Sequence, residues 1–190
     1  IKGGAHMYRP STLEKWVSEK FIEKGIIYPH ELDPRLISSA FGILYEPGPL
    51  PSLSGESSGI PYIVVDTRLP TDEQREQFFH ELGHVLRHYG NQNTMPDMFR
   101  DLQEWDAKLF TLYAAIPYHM LDFTVENTVQ SLMERFSVPL HLAQKRIELI
   151  RERYSTEKPK PKRSSVLDPF NPQKYSKETQ RLLKQLRIGG

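Results

Sequence analysis

The sequence predicts an α+β fold, mostly helical, with a small antiparallel or mixed β-sheet packed on one histidine-bearing helix. Three observations predict it. Apolar residues recur at helical spacing in several separate stretches of the 190 residues. Strand-like runs are confined to the segment between Phe41 and Thr67. One helical stretch carries the pentad His80-Glu81-Leu82-Gly83-His84, which separates two histidines by one helical turn.

Taken in order, residues 13–24 read as a first helix, with Trp16, Val17, Phe21 and Ile22 near helical spacing and Ser11 or Thr12 as its cap. A short helix is expected over 34–40, opened by Pro34. Residues 41–46 form a strand candidate. Residues 47–59, rich in Pro, Gly and Ser, read as a loop or an irregular hairpin. Ile63-Val64-Val65 makes 60–67 the strongest strand in the chain.

The histidine-bearing helix follows after a short turn. Thr71-Asp72-Glu73-Gln74, after Pro70, fits a capping box. Asp72 and Glu73 suit the positive end of the helix dipole. Phe78, Phe79, Leu82, Val85, Leu86 and Tyr89 mark a buried face, and Gly90 with Asn91 ends it. Gly83 is costly inside a helix, so a close neighbour is expected there. After a loop, whose Met95, Pro96 and Met98 either line a cleft or pack locally, a second long helix runs over 99–116. Two further amphipathic helices, 124–136 and 140–154, flank Ser137-Val138-Pro139. They superficially suggest a helix-turn-helix. However, Glu148 and Glu152 alternate with Lys145, Arg146 and Arg151, so no basic recognition face forms. Lys158 to Arg163 is a linker, and 176–188 is a short terminal helix with Leu182, Leu183 and Leu186 on one side.

Chemistry concentrates on the pentad. His80 and His84 share a helix face and can bind one zinc ion together, with Glu81 beside it, close enough to take a proton from water activated at the ion. A catalytic zinc needs a third protein ligand and an open position. Arg87 and Gly90 stand where the metzincin pattern requires glycine and histidine, so that class is excluded. His88 lies about 80° round the helix from His80 and is read as a supporting or surface residue. On the second long helix, Glu104 and Asp106 both offer carboxylates. Residues two apart face different ways, so only one of them meets the metal.

Phe79 to His88 resembles the HELGHxxxH signature of the ImmA/IrrE family of metallopeptidases. Glu104-Trp105-Asp106-Ala107-Lys108-Leu109-Phe110 resembles that family's E-x-E-A-N-x-F-A segment, and Ala115-Ile116-Pro117 its closing L-M-P. The resemblance covers about residues 8 to 150. It implies a zincin-like peptidase with His80, His84 and Glu104 as metal ligands and Glu81 as general base, Asp106 being the fallback third ligand. It also implies cleavage of a helix-turn-helix repressor of a phage or mobile element, or of a stress regulator. Asp106 in place of Glu, Lys108 after Ala107, and Thr111 in place of Ala depart from the pattern without removing a ligand. The helical wheel agrees with Glu104, which shares a face with the small residues Ala107 and Thr111. Asp106 falls with Leu109, Phe110 and Tyr113.

Composition bounds the rest. The absence of cysteine excludes disulfides and thiolate ligands, so a metal must use histidine and carboxylate. No apolar run approaches the ~18 residues of a membrane span, and no signal peptide is visible, so a cytoplasmic protein is expected. The formal charge of +1 hides an asymmetry: residues 155–190 hold nine Lys/Arg against three Asp/Glu, and the remainder is net −5. Such a tail is read as solvating, with nucleic-acid binding the less favoured role. The expected organisation is a cloning scar over 1–7, a peptidase domain over 8–122, a helical subdomain over 123–154 and a basic linker with a terminal helix over 155–190. A reading from another class is a non-catalytic regulatory module that holds a repressor or nucleic acid, with zinc structural or absent. Tyr89, Tyr113, Tyr118, His119 and Arg135 are the candidate oxyanion donors.

Overall fold

In the computed structural model, residues 8–87, 96–123 and 127–154 are described. The expectations for 1–7, His88, Tyr89, the end of the histidine helix, Met95 and the basic tail lie outside them.

Helix α1 spans Thr12–Glu23 and starts at a full capping box: Ser11 accepts from the amide of Glu14, and Glu14 accepts from the amide of Ser11. Helix α2 spans Pro34–Phe41, capped by Asp33 and closed by Gly42 in the left-handed region. Three strands follow: β1 over Leu44–Gly48, β2 over Leu53–Ser57 and β3 over Ile60–Asp66. The sheet order is β1-β3-β2, with β1 parallel and β2 antiparallel to β3, so the sheet is mixed. Five of the thirteen residues in the stretch read as a loop or irregular hairpin therefore form strand β2. The turn that makes it so is Ser58-Gly59, both at positive φ (53° and 80°), the two-residue geometry whose twist matches paired strands.

β3 alternates in the expected way. Ile63 and Val65 are fully buried against the helices, while Ile60 is exposed on the other face. Register then sets the neighbours. Tyr45 of β1 and Ser54 of β2 both lie opposite Ile63, hence on the helix-facing side of the sheet.

Helix α3, Thr71–Arg87, packs along helix α4, Asp97–Ala115, and on β3 and β2. The capping box expected at its start does not form. Thr71 is already helical, so Gln74 turns its side-chain amide back to the carbonyls of Leu69 (2.7 Å) and Thr67 (3.4 Å). Helix α5, Val129–Phe136, is shorter than read from its periodicity because Thr128 caps it, accepting from the amide of Ser131. Helix α6, Leu140–Tyr154, buries Leu142, Ile147 and Ile150.

α6 is tied to α1 by a buried ionic cluster. Arg146 and Glu14 are both fully buried and pair at 2.7 Å. Tyr8 donates to the same carboxylate, Arg153 reaches it at 3.0 Å, and Arg146 Nε donates to the carbonyl of Ile116 (3.1 Å). Burial pushes the Glu14 carboxyl up. Arg146, the Tyr8 hydroxyl and Arg153 outweigh that and hold it below its ordinary range. Arg146 is thus a core residue, and α6 packs on the body of the protein.

Candidate metal centre

The local sequence places the histidines. Four residues apart on α3, His80 and His84 bring their Nε2 atoms to 3.1 Å. α4 crosses the same face and brings Glu104 to them. Its Oε2 lies 3.4 Å from His80 Nε2 and its Oε1 3.3 Å from His84 Nε2. Ligand atoms of these three residues all lie within 4.8 Å of one another, the one such group among the described residues. Hydrogen bonds from His80 and His84 hold the Glu104 carboxyl well below the usual carboxylate range.

The arrangement fits zinc by its donor chemistry and spacing. Two imidazole nitrogens and a carboxylate converge on one place, and once both imidazoles give up the Nε2 proton a cation can take a lone pair from each of the three. Zinc bonds of about 2.0–2.2 Å separate neighbouring tetrahedral ligands by roughly 3.3–3.5 Å. The two His–Glu distances match that edge, and the His–His distance is slightly shorter.

The close approach of α4 to α3 runs through Gly83. A Cβ on Gly83 would lie 2.9 Å from Phe110 Cδ1 and 3.4 Å from the Cα of Ala107. The neighbour expected there is Phe110, on the next helix. Asp106 is turned away from the histidines. It receives both Nε and Nη2 of Arg87, at 2.6 and 2.9 Å, and that guanidinium lies 5.2 Å over the ring of Trp16. The carboxylate two residues from Glu104 therefore holds α3 to α4 and α1.

Glu81 is buried, at 8% exposure, and accepts from Ser54 Oγ at 2.7 Å. Reading the sequence missed Ser54. It is 27 residues away and became visible only through the β2–β3 register. The signal available was a Ser-Gly turn before a strong strand, which marks the hairpin but not the side its side chains take.

A cleft of about 360 Å³ opens beside His80 and Glu104, between α3, α4 and α6. The proposed oxyanion donors that are described lie elsewhere. The Tyr113 hydroxyl accepts from Arg153, His119 Nε2 is 3.1 Å from the carbonyl of Ile26, Arg135 donates to the carbonyl of Met120, and Tyr118 stacks on Tyr8. Pro96 and Met98 do not line the cleft either. No described helix is long and apolar enough to cross a membrane.

Residues 42–148 match the Peptidase M78 family, described as the IrrE N-terminal-like domain. That span holds the whole sheet, α3, α4 and most of α6. The chain is 29% identical to the uncharacterized protein YqaB of Bacillus subtilis (strain 168), over 75% of this chain and 86% of that protein. It is 31% identical to the phage-like element PBSX protein XkdA of the same organism, over 75% of each. No solved structure matches significantly. The match across more than half of the chain, on a fold of the zinc-metallopeptidase type, shows that the protein belongs to the IrrE N-terminal-like family of M78 peptidases.

Proposed function

We propose that this protein is a zinc-dependent peptidase that cuts a helix-turn-helix repressor of a phage or mobile element, or a stress regulator of that kind. The observation that carries the reading is the convergence of His80, His84 and Glu104 on one point, with Glu81 the residue that follows His80 on α3. His80, His84 and Glu104 would hold the ion. Bound there, zinc supplies Lewis acidity, lowering the pKa of water to about 7 and polarising the scissile carbonyl.

The chain's own residues supply the rest. Glu81 accepts the proton of the attacking water and delivers it to the leaving amine. Ser54 donates to Oε2 of Glu81 and so holds the carboxylate in one orientation. Among the described residues Oε1 has no hydrogen-bond partner, which leaves it able to accept the proton. β2 is an edge strand, and Ser54 places that edge beside Glu81, so an extended peptide can add to the sheet along it. The name of one relative, a phage-like element protein, supports the mobile-element setting. Family membership supports a protein substrate.

The test is zinc content together with cleavage of a repressor encoded beside this protein, compared with Glu81→Gln. Stoichiometric zinc and cleavage lost in that variant are expected. Full binding of the repressor without cleavage by the zinc-loaded protein would favour the regulatory-module reading instead.

A further inference from the structure

The cleft beside the metal cluster has a chemical character of its own. Its apolar wall is Leu109 and Leu112 of α4 with Leu142 of α6. Four charged side chains other than the histidine border it, and they are not equivalent. Glu76 is engaged by His141 Nε2 at 2.9 Å, and Glu104 by both site histidines. Lys108 and Lys145, one from each side, have no carboxylate partner among the described residues. Both are exposed. The charges of the cleft that no other described side chain engages are therefore both positive, and they share it with an apolar wall.

We propose that this cleft is a substrate subsite for an acidic residue flanking the scissile bond, with Lys108 and Lys145 as its specificity-determining residues. The inference rests on the peptidase reading above. A peptide carbonyl at the His80–His84–Glu104 cluster puts the adjoining side chain at the mouth of the cleft, because His80 and Glu104 form part of its lining. Glutamate suits it better than aspartate: its two methylenes lie along the leucines while its carboxylate reaches the ammonium groups. A basic side chain meets two like charges and is rejected.

The probes are the N-acetyl α-hydroxamates of glutamate, glutamine and lysine, whose hydroxamate chelates the metal and leaves the side chain to the cleft. Their affinities for the zinc-loaded full chain are measured by calorimetry, with zinc content and circular dichroism recorded for every variant. The glutamate probe should bind about tenfold tighter than the glutamine probe, as expected for two partly exposed charge pairs. Lys108→Ala with Lys145→Ala should abolish the preference, and Lys108→Glu with Lys145→Glu should turn it toward the lysine probe. Equal affinities for the glutamate and glutamine probes on zinc-loaded wild-type protein overturn the subsite and leave the metal reading standing. A preference that survives charge reversal also overturns it. A folded chain that takes up no zinc overturns the peptidase reading and the subsite with it.

Discussion

Gly83 of α3 and Phe110 of α4 are in contact at a distance that leaves no room for a side chain: a Cβ on Gly83 would stand 2.9 Å from Phe110 Cδ1. This contact sets the spacing of the two helices that carry His80, His84 and Glu104. Gly83→Ala gains about 1 kcal/mol of helix propensity. It must also push a fully buried phenylalanine aside, which typically costs about 1–3 kcal/mol. A net loss of stability in thermal unfolding, with weaker zinc binding, is expected. A stabilised variant with unchanged zinc affinity would show that the α3–α4 spacing is not set here.

His80→Ala and His84→Ala should each abolish stoichiometric zinc, because each removes one of the three proposed ligands. Elemental analysis of the purified variants decides this. Full occupancy in either would remove the histidine pair as the metal centre.

Glu81→Gln should retain zinc yet lose cleavage by about 10²- to 10⁴-fold, the usual worth of a general base. Ser54→Ala should cost less and fall mainly on kcat, because the carboxylate keeps its chemistry and loses only its holding hydrogen bond. Ser54→Thr keeps the hydroxyl and should recover part of the loss. Wild-type kcat in Ser54→Ala would show that Glu81 is held by other means.

Glu104→Ala and Asp106→Ala should separate cleanly. The first should weaken zinc by several kcal/mol with a modest effect on folding. The second should leave zinc within about 10- to 100-fold and lower stability by about 1–2 kcal/mol, since it strips a partly buried Arg87 of a two-point partner. A zinc titration giving the opposite order would place the ligand on Asp106.

Glu14→Gln should destabilise the fold by about 3–5 kcal/mol, leaving Arg146 buried without its counter-charge. The pH dependence follows from the sign of the shift. Arg146, Arg153 and Tyr8 hold the folded-state carboxyl below its ordinary 4.5, so its contribution is present above that value and is lost as pH falls through the folded one. Thermal melts of the wild type should therefore drop below about pH 4.5. The Glu14→Gln melts should lack that component of the drop, and identical acid profiles would refute the assignment.

Local features were legible in the residues. Periodicity and capping gave α1, α2, α4 and α6 to within a few residues, because an amphipathic face and an N-cap are properties of neighbours in the chain. The separation of His80 and His84 likewise settles, within α3 alone, that two imidazoles share a face. The α+β character followed from the confinement of strand-like runs to one segment. The mixed order β1-β3-β2 did not, since nothing local says which edge of β3 a strand will take.

The meeting of residues distant in sequence came from how the elements dock. The alternation of charges on α6 says only that no basic recognition face forms, yet Arg146 is fully buried on Glu14, 132 positions earlier, because α1 supplies the carboxylate that makes its burial tolerable. Glu104 and Asp106 are both partly buried acids on one helix. Only the crossing of α3 and α4, drawn close at Gly83 and Phe110, sends one to the histidines and the other to Arg87. Ser54 reaches Glu81 through strand register, and Lys145 reaches the cleft through the packing of α6. Local chemistry along the chain is enough for the helices and for the chemical types of the site. The third dimension chose the partners, because a side chain's neighbours across an interface depend on how two elements dock, and periodicity within either element does not record it.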